Sequence, residues 1–406
     1  MTAKFRTISA WLGPALFLLG SLALTGPCFS QAADPFFQGK KLSEWLDSLK
    51  TEADYSKLPE KEKLNQSRSR RAGLIAVELL SGSLDQRILP ALEKVAKGDP
   101  EEKLREASAL ALARVALKHA EKSKSEAPRE FAARALESIL ENEKSNRVRE
   151  ASAQALGKLG PVAARAVPAL GKCLQLEDPG LRAAAADTLR RLGMDALPAI
   201  GPLRTLAADG KADLISRAYA ILALGNLADE ESVPLLLGIL ADGKLPVDLR
   251  MPAGNALAAM GDSAAAAAPK LGELLVQDAF PRDLKRVAAI ALDNFGLAAA
   301  PAIPSLVAAL KDRDATVRAF CLHALGGLGA KLGSNLAAAR RSVFHCLDDS
   351  ALEVRLAALE TFGRWGPGLA DNSVLGKIDS LTMDPAKEIR ETAQVVRRRL
   401  NSTNDK

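Results

Sequence analysis

The sequence predicts an all-α chain folded as a right-handed solenoid of about ten stacked helix pairs. Three observations predict it. A basic residue recurs at Arg105, Arg149, Arg182, Arg217, Arg250, Lys285, Arg318, Arg355 and Arg390, with successive spacings of 44, 33, 35, 33, 35, 33, 37 and 35 residues. A period in this range marks an array of supersecondary units. The composition agrees: hydrophobic residues make up 48% but aromatics only 4%, and Ala and Leu dominate, which favours helices packed through small side chains over strands. Finally, apolar residues in each copy follow helical spacing, and no stretch alternates as a half-buried strand does.

Residues 1–32 read as an export signal. Lys4 and Arg6 form a basic start, Ala15 to Leu24 an apolar core, and Ser30-Gln31-Ala32 a small-x-Ala cleavage site before Ala33. An uncleaved membrane anchor is the competing reading, because the stretch from Ile8 to Gly26 approaches spanning length. Pro27 argues against a lipid anchor on Cys28. Residues 33–67 form a lead-in whose helix, within Gly39 to Lys50, gathers Leu42, Trp45, Leu46 and Leu49 on one side and caps the array.

The array is placed over residues 68–400, with a blurred first copy near Arg70 and a polar tail over 401–406. In the Arg149 copy, Val148, Ala151, Ala155, Leu156 and Leu159 give the one-sided spacing of an amphipathic helix. Gly160 then stops it, as Gly193, Gly261, Gly296, Gly329 and Gly366 do in other copies. A second apolar run follows with proline near its start, at Val167-Pro168, Leu197-Pro198, Val233-Pro234, Ala268-Pro269 and Ile303-Pro304. Proline is tolerated in a first helical turn. Polar turns such as Asp178-Pro179 and Asp242-Gly243 close the unit. The long spacing after Arg105 is attributed to Leu117–Ala127, expected to be a charged, flexible extension between two helices.

The run of a turn aspartate, Val-Arg, spaced alanines and Leu-Gly-x-Leu-Gly, followed by a proline-led helix, resembles HEAT repeats, in particular the short variety associated with phycobilin lyases. The likeness covers nearly the whole chain after the signal. The Gly-Lys…Trp-Leu opening is similar to the lead-in of exported bacterial proteins of this type. The resemblance implies a hydrogen-bonded ladder between units, in which Asp178 with Arg182, Asp314 with Arg318 and Asp384 with Arg390 match the pairing. Arg105, Arg149, Arg217, Arg250 and Arg355 are further rungs. Lys285 departs from the pattern and is expected to pair less well, because lysine lacks the planar fork.

Chemistry is sparse. Cys173, Cys321 and Cys346 show no C-x-x-C spacing, which excludes haem attachment, zinc ribbons and dithiol redox motifs. His119, His323 and His345 form no His-Glu pair and no H-E-x-x-H helix. A soft metal site from Cys321, His323, His345 and Cys346 is conceivable, but core-facing roles are preferred. Gly238 to Lys244 mimics a phosphate loop, yet Leu245 stands where Ser or Thr is needed. The formal net charge of +6, or +4 without Lys4 and Arg6, is no nucleic-acid signature.

The expectation is a non-enzymatic scaffold outside the cytoplasm, without a cofactor, that binds protein partners. Second helices line the concave side of HEAT arrays, so Lys172, Lys270, Glu273, Lys311, Arg340 and Arg341 are the candidate contacts. A lyase-like or accessory protein holding a chromophore or cofactor is the alternative.

Overall fold

The computed structural model describes residues 34–51, 55–329 and 334–401; residues 1–32, read above as an export signal, lie outside them. A short hairpin of β1 (Phe36–Phe37) and β2 (Lys40–Lys41) leads into α1 (Leu42–Ser48). Leu42, Trp45 and Leu49 are buried and Leu46 is half-buried. The Trp45 indole donates to the Phe37 carbonyl at 3.1 Å, which ties the hairpin to the helix. Next come α2 (Glu60–Leu80) and α3 (Ile88–Gly98), the first pair of the array. Helix α2 begins at Glu60, directly after Pro59.

The anchor residues sit in a row of first helices. These are α4 (Glu102–Ser123), α6 (Asn146–Leu159), α8 (Pro179–Leu192), α10 (Leu214–Asn226), α12 (Val247–Met260), α14 (Arg282–Asn294), α16 (Ala315–Gly327), α18 (Leu352–Trp365) and α20 (Lys387–Asn401). Between them run the second helices α5 (Ala127–Asn142), α7 (Val167–Cys173), α9 (Ile200–Ala208), α11 (Val233–Ala241), α13 (Ala268–Leu275), α15 (Ile303–Ala309), α17 (Ser334–Cys346) and α19 (Asn372–Leu381). From α4 onward each first helix packs on the neighbouring first helices and on the second helix that precedes it in sequence, so the core runs the length of the stack.

Small residues let the first helices approach closely. A Cβ added at Gly225 would lie 2.5 Å from the Ala256 Cα. Side chains also stitch neighbouring first helices together. Thr188 Oγ1 donates to the Ala153 carbonyl at 2.7 Å, Asn294 to Ala258 at 2.9 Å and Thr361 to Leu322 at 2.8 Å.

The glycines that close the first helices adopt positive φ, from +53° at Gly296 to +74° at Gly160 and Gly366, a region costly for a side chain. A feature the sequence pattern did not expose follows. Gly160–Ala166, Gly193–Ala199, Gly261–Ala267 and Gly296–Ala302 are 3₁₀ turns. Their buried alanine pairs, such as Ala163 with Ala166 and Ala264 with Ala267, are three apart, which matches three residues per turn.

In the Arg217 unit the position of the closing glycine holds Ala228, at φ +50°. Ala228→Gly is expected to stabilise the protein by about 0.5–1 kcal/mol. Slower amide exchange in α10 and α11 would register the gain, and unchanged or faster exchange there would contradict it.

The extension after Arg105 is a correction to the expected flexible segment. Residues 117–123 continue α4 as helix, and the chain turns only at Lys124, at φ +52°. No glycine interrupts α4 before that point, and Ala116 and His119 still have core to bury against.

Candidate functional site: the inter-repeat ladder and the second-helix row

Five of the turns centre on an acid six residues before an anchor. Asp99, Glu143, Asp312, Asp349 and Asp384 each accept the backbone N–H two residues on, at 2.8–2.9 Å, and so brace their own turn. Each also receives the anchor of the preceding unit. Arg105 reaches Glu143 at 2.9 Å, Lys285 reaches Asp312 at 2.7 Å, Arg318 grips Asp349 with contacts of 2.9 and 2.7 Å, and Arg355 approaches Asp384 at 3.9 Å. At the start of the array, Arg70 lies 2.9 Å from Asp99 and 2.8 Å from Glu101.

This changes the expected pairing. Asp178 and Asp314 do not pair with Arg182 and Arg318 of their own units. They cap α8 and α16, accepting from the Leu181 and Val317 N–H groups, because a side chain at that position sits over the open first turn. Arg182 instead pairs with Asp213 of the next unit at 3.0 Å. Arg390 donates to the backbone carbonyls of Asp384 and Pro385, not to a carboxylate.

Apart from Arg182, an anchor that finds no acid at the ladder position turns inward to a carbonyl. Arg149 donates to Leu140 at 2.9 Å, Arg217 to Ala207 at 3.2 Å and Arg250 to Leu240 at 2.9 Å. Lys285 is seated by one contact against the two of Arg318, since an ammonium has no fork.

The electrostatics follow. Burial raises the Asp349 carboxyl, but the hydrogen bonds from Arg318 and the Ala351 N–H outweigh it and hold the group below its usual range. Glu143 is held down the same way, by the Ser145 N–H and Arg105 against burial. The anchors are thus consumed in holding units together, which is a structural role and leaves none presented to a phosphate.

Thiol and imidazole chemistry is equally muted. Burial pushes the Cys346 thiol up to about 11 and raises those of Cys173 and Cys321, so they stay protonated and unreactive. His323 Nδ1 lies 3.7 Å from Glu360, while His345 is exposed on a second helix. Among the described residues no group of three His, Cys, Asp or Glu side chains is placed to hold a metal.

The residues proposed as partner contacts are spread over separate second helices. Lys172 projects from α7 and Lys311 follows α15, both exposed. Lys270 and Glu273, on α13, pair with each other at 2.8 Å. On α17, Arg340 is engaged by Asp371 of the next unit, whereas Arg341 is exposed. Among the described residues Lys172, Lys311 and Arg341 have no ion pair. A groove of about 390 Å³ on the opposite row was not anticipated; it crosses α6, α8 and α10, with Glu150, Lys158, Asp187 and Tyr219 along it.

Family models describe the same units. HEAT repeats match residues 133–216 and 268–363, and a PBS lyase HEAT-like repeat matches 216–242. The chain is a helical solenoid that contains HEAT repeats. Among solved structures this solenoid is similar to importin beta, with a TM-score of 0.58 at 14% identity over 88% of this chain and 50% of that one. It is also similar to Kap95 in a Kap95:Nup1 complex (0.56, 14%, 92% and 52%) and to Kap95p with RanGDP (0.55, 15%, 88% and 50%). At these identities the likeness is one of fold, and the solenoid spans about half the length of those chains. A search of the curated proteins found no match. Among the described residues no helix is long and apolar enough to cross a membrane.

Proposed function

We propose that this HEAT-repeat solenoid is a non-enzymatic scaffold that acts outside the cytoplasm and binds protein partners along its second-helix row. The observation that carries the reading is the row itself. Helix after helix presents exposed side chains over the length of the stack, and Lys172, Lys311 and Arg341 offer charges that no internal partner neutralises. Such a surface supplies contact area in place of an enclosed pocket, which suits a protein ligand. Structures of similar fold are described with protein partners, as in the Kap95:Nup1 complex. The protonated, buried thiols support the non-enzymatic part. The basic start, apolar core and small-x-Ala site of residues 1–32 support export.

Crosslinking mass spectrometry on cells making the tagged full-length chain tests this. The expected outcome is recovery, from the envelope fraction, of defined proteins joined through Lys172 or Lys311. Crosslinks confined to first-helix lysines such as Lys103 and Lys158 would move the working face to the other row. Purification of the chain with a bound chromophore and no partner would overturn the scaffold reading.

A further inference from the structure

A solenoid's end units need a polar outer face, because no neighbouring unit covers them. At the far end of the row α20 obeys: its exposed side chains are charged or amide-bearing apart from Val395. The near end does not. Helix α2 begins the row of first helices, and its Leu64, Ile75 and Leu79 are 51%, 60% and 56% exposed. These are not scattered single residues. With Lys61, Arg68 and Arg71 they form one exposed stripe at spacings of 3, 4, 3, 4 and 4 residues, the spacing of a helix–helix seam. The lead-in does not cover it. Helix α1 lies against the opposite side of α2, where a Cβ on Gly73 would come 2.2 Å from Ser48 Oγ.

The stripe runs into a groove of about 300 Å³ between α2 and α4, lined by Ile75, Leu79 and Val115. Helix α2 makes a smaller contact with α4 than any other pair of adjacent first helices makes, which leaves this groove open. We propose that the α2 stripe docks an acidic amphipathic helix of a protein partner, laid where a preceding first helix would lie. Exposed apolar groups at seam spacing specify a helix as the ligand, and the groove receives one of its large apolar side chains.

Charge selects the acidic sign. Among the described residues, Lys61 and Arg68 on the stripe and Lys118 at the groove have no ion-pair partner. No acid lies on the stripe, and Glu78 at its border is held by Arg114 through two contacts. Arg71 reaches Glu101 at 3.1 Å and is still exposed. Other occupants meet the wrong charge. Residues 1–33 carry Lys4 and Arg6 and no acid, so they would bring cations to cations. A second copy laid along the stripe would bring Arg68 and Arg71 close to the same residues of its partner, a repulsion that disfavours the pairing. The stripe belongs to the first-helix row and not to the second-helix row proposed above, so the two readings stand or fall separately.

The test titrates the full chain with two fluorescent helical peptides three heptads long. Both carry leucine at the seam positions, flanked by glutamate in one and by lysine in the other. The glutamate peptide should bind about tenfold more tightly, through one modest surface ion pair for each of Lys61, Arg68 and Lys118. Bound peptide should slow amide exchange in α2 and leave α20 unchanged. Ile75→Gln combined with Leu79→Gln alters exposed positions only. The helical signal should therefore stay intact while affinity falls by more than about tenfold. Arg68→Glu should weaken the glutamate peptide and strengthen the lysine one. No binding of the glutamate peptide, equal affinity for the two peptides, protection away from α2, or binding untouched by the paired substitution would overturn the proposal. Two further outcomes would overturn it by naming another occupant. Capture of the chain on phosphatidylglycerol vesicles, with no binding of the glutamate peptide, assigns the stripe to a membrane surface. A dimer in sedimentation velocity that the paired substitution dissolves assigns it to a second copy.

Discussion

Replacing Leu325 with alanine is expected to destabilise the solenoid by about 2–5 kcal/mol, the usual range for a fully buried leucine. Leu325 is 0% exposed in α16, and its carbonyl accepts the Trp365 indole N–H at 2.8 Å, so the cavity opens where two units meet. The consequence is spatial as well as energetic. First helix α16 packs on α14 and α18 and has no extensive contact with more distant first helices. Stability in such an array is a sum of unit terms and nearest-neighbour interfaces. Amide protection should therefore fall first across α14 to α18 and persist in α4 to α8. Hydrogen exchange read helix by helix checks this. A uniform loss along the chain, or a thermal midpoint that does not move, would remove Leu325 from the inter-unit core.

The fold was readable because its determinants repeat. One amphipathic helix of about fourteen residues is ambiguous, but a basic anchor, an apolar stripe and a closing glycine recurring at one period admit a single architecture. The 3₁₀ turns were missed because the alanine pairs that build them, Ala163 with Ala166 or Ala299 with Ala302, sit in alanine-rich sequence where a three-residue spacing does not stand out. The ladder was read to the right residue types and the wrong partners. Asp178 stands nearer in sequence to Arg182 than Asp213 does, yet a helix N-terminus leaves N–H groups that its own preceding aspartate satisfies first. The usable signal was the acid six residues before an anchor, present at Asp99, Glu143, Asp312, Asp349 and Asp384 and replaced by Leu176, Lys211, Lys244 and Ala279 elsewhere.

That substitution pattern has a structural meaning of its own. The middle of the array, from Arg149 to Arg250, has largely exchanged carboxylate rungs for carbonyl ones, while both ends keep the ion pairs. A carbonyl rung ties an anchor to the second helix before it in sequence, whereas a carboxylate rung ties it to the turn of the following unit. The central interfaces therefore rest more on close helix approach, as at Gly225 against Ala256, and less on charge.

Arg70→Ala should produce a loss at least as large, about 3–5 kcal/mol, by stranding a buried charge. The Arg70 and Asp99 side chains are each 1% exposed and lie 2.9 Å apart, with Glu101 on the other arm of the guanidinium at 2.8 Å. Tyr55 stacks 4.6 Å from that guanidinium and donates its hydroxyl to Glu101 at 3.1 Å, so the arginine also orders the lead-in. Burial already raises the Asp99 carboxyl above its ordinary value, against the hydrogen bond from the Glu101 N–H and the attraction of Arg70. Without Arg70 it rises further. The sign follows from linkage: a carboxyl whose folded pKa is raised contributes stability at pH below its unfolded value and loses it as pH climbs through the folded one. The penalty of Arg70→Ala should therefore be largest at neutral pH and shrink as pH falls toward 4, where Asp99 takes up a proton in place of its lost partner. Arg70→Lys should recover only part of the loss, since one ammonium cannot hold both carboxylates in the fork geometry. Arg70→Met combined with Asp99→Leu should be milder than Arg70→Ala, because no charge is left buried. Exchange protection of α1 to α3, measured at both pH values, reads the effect where it arises. An equal penalty at both, or a double variant worse than the single one, would mean that the cluster acts through packing and not through its charges.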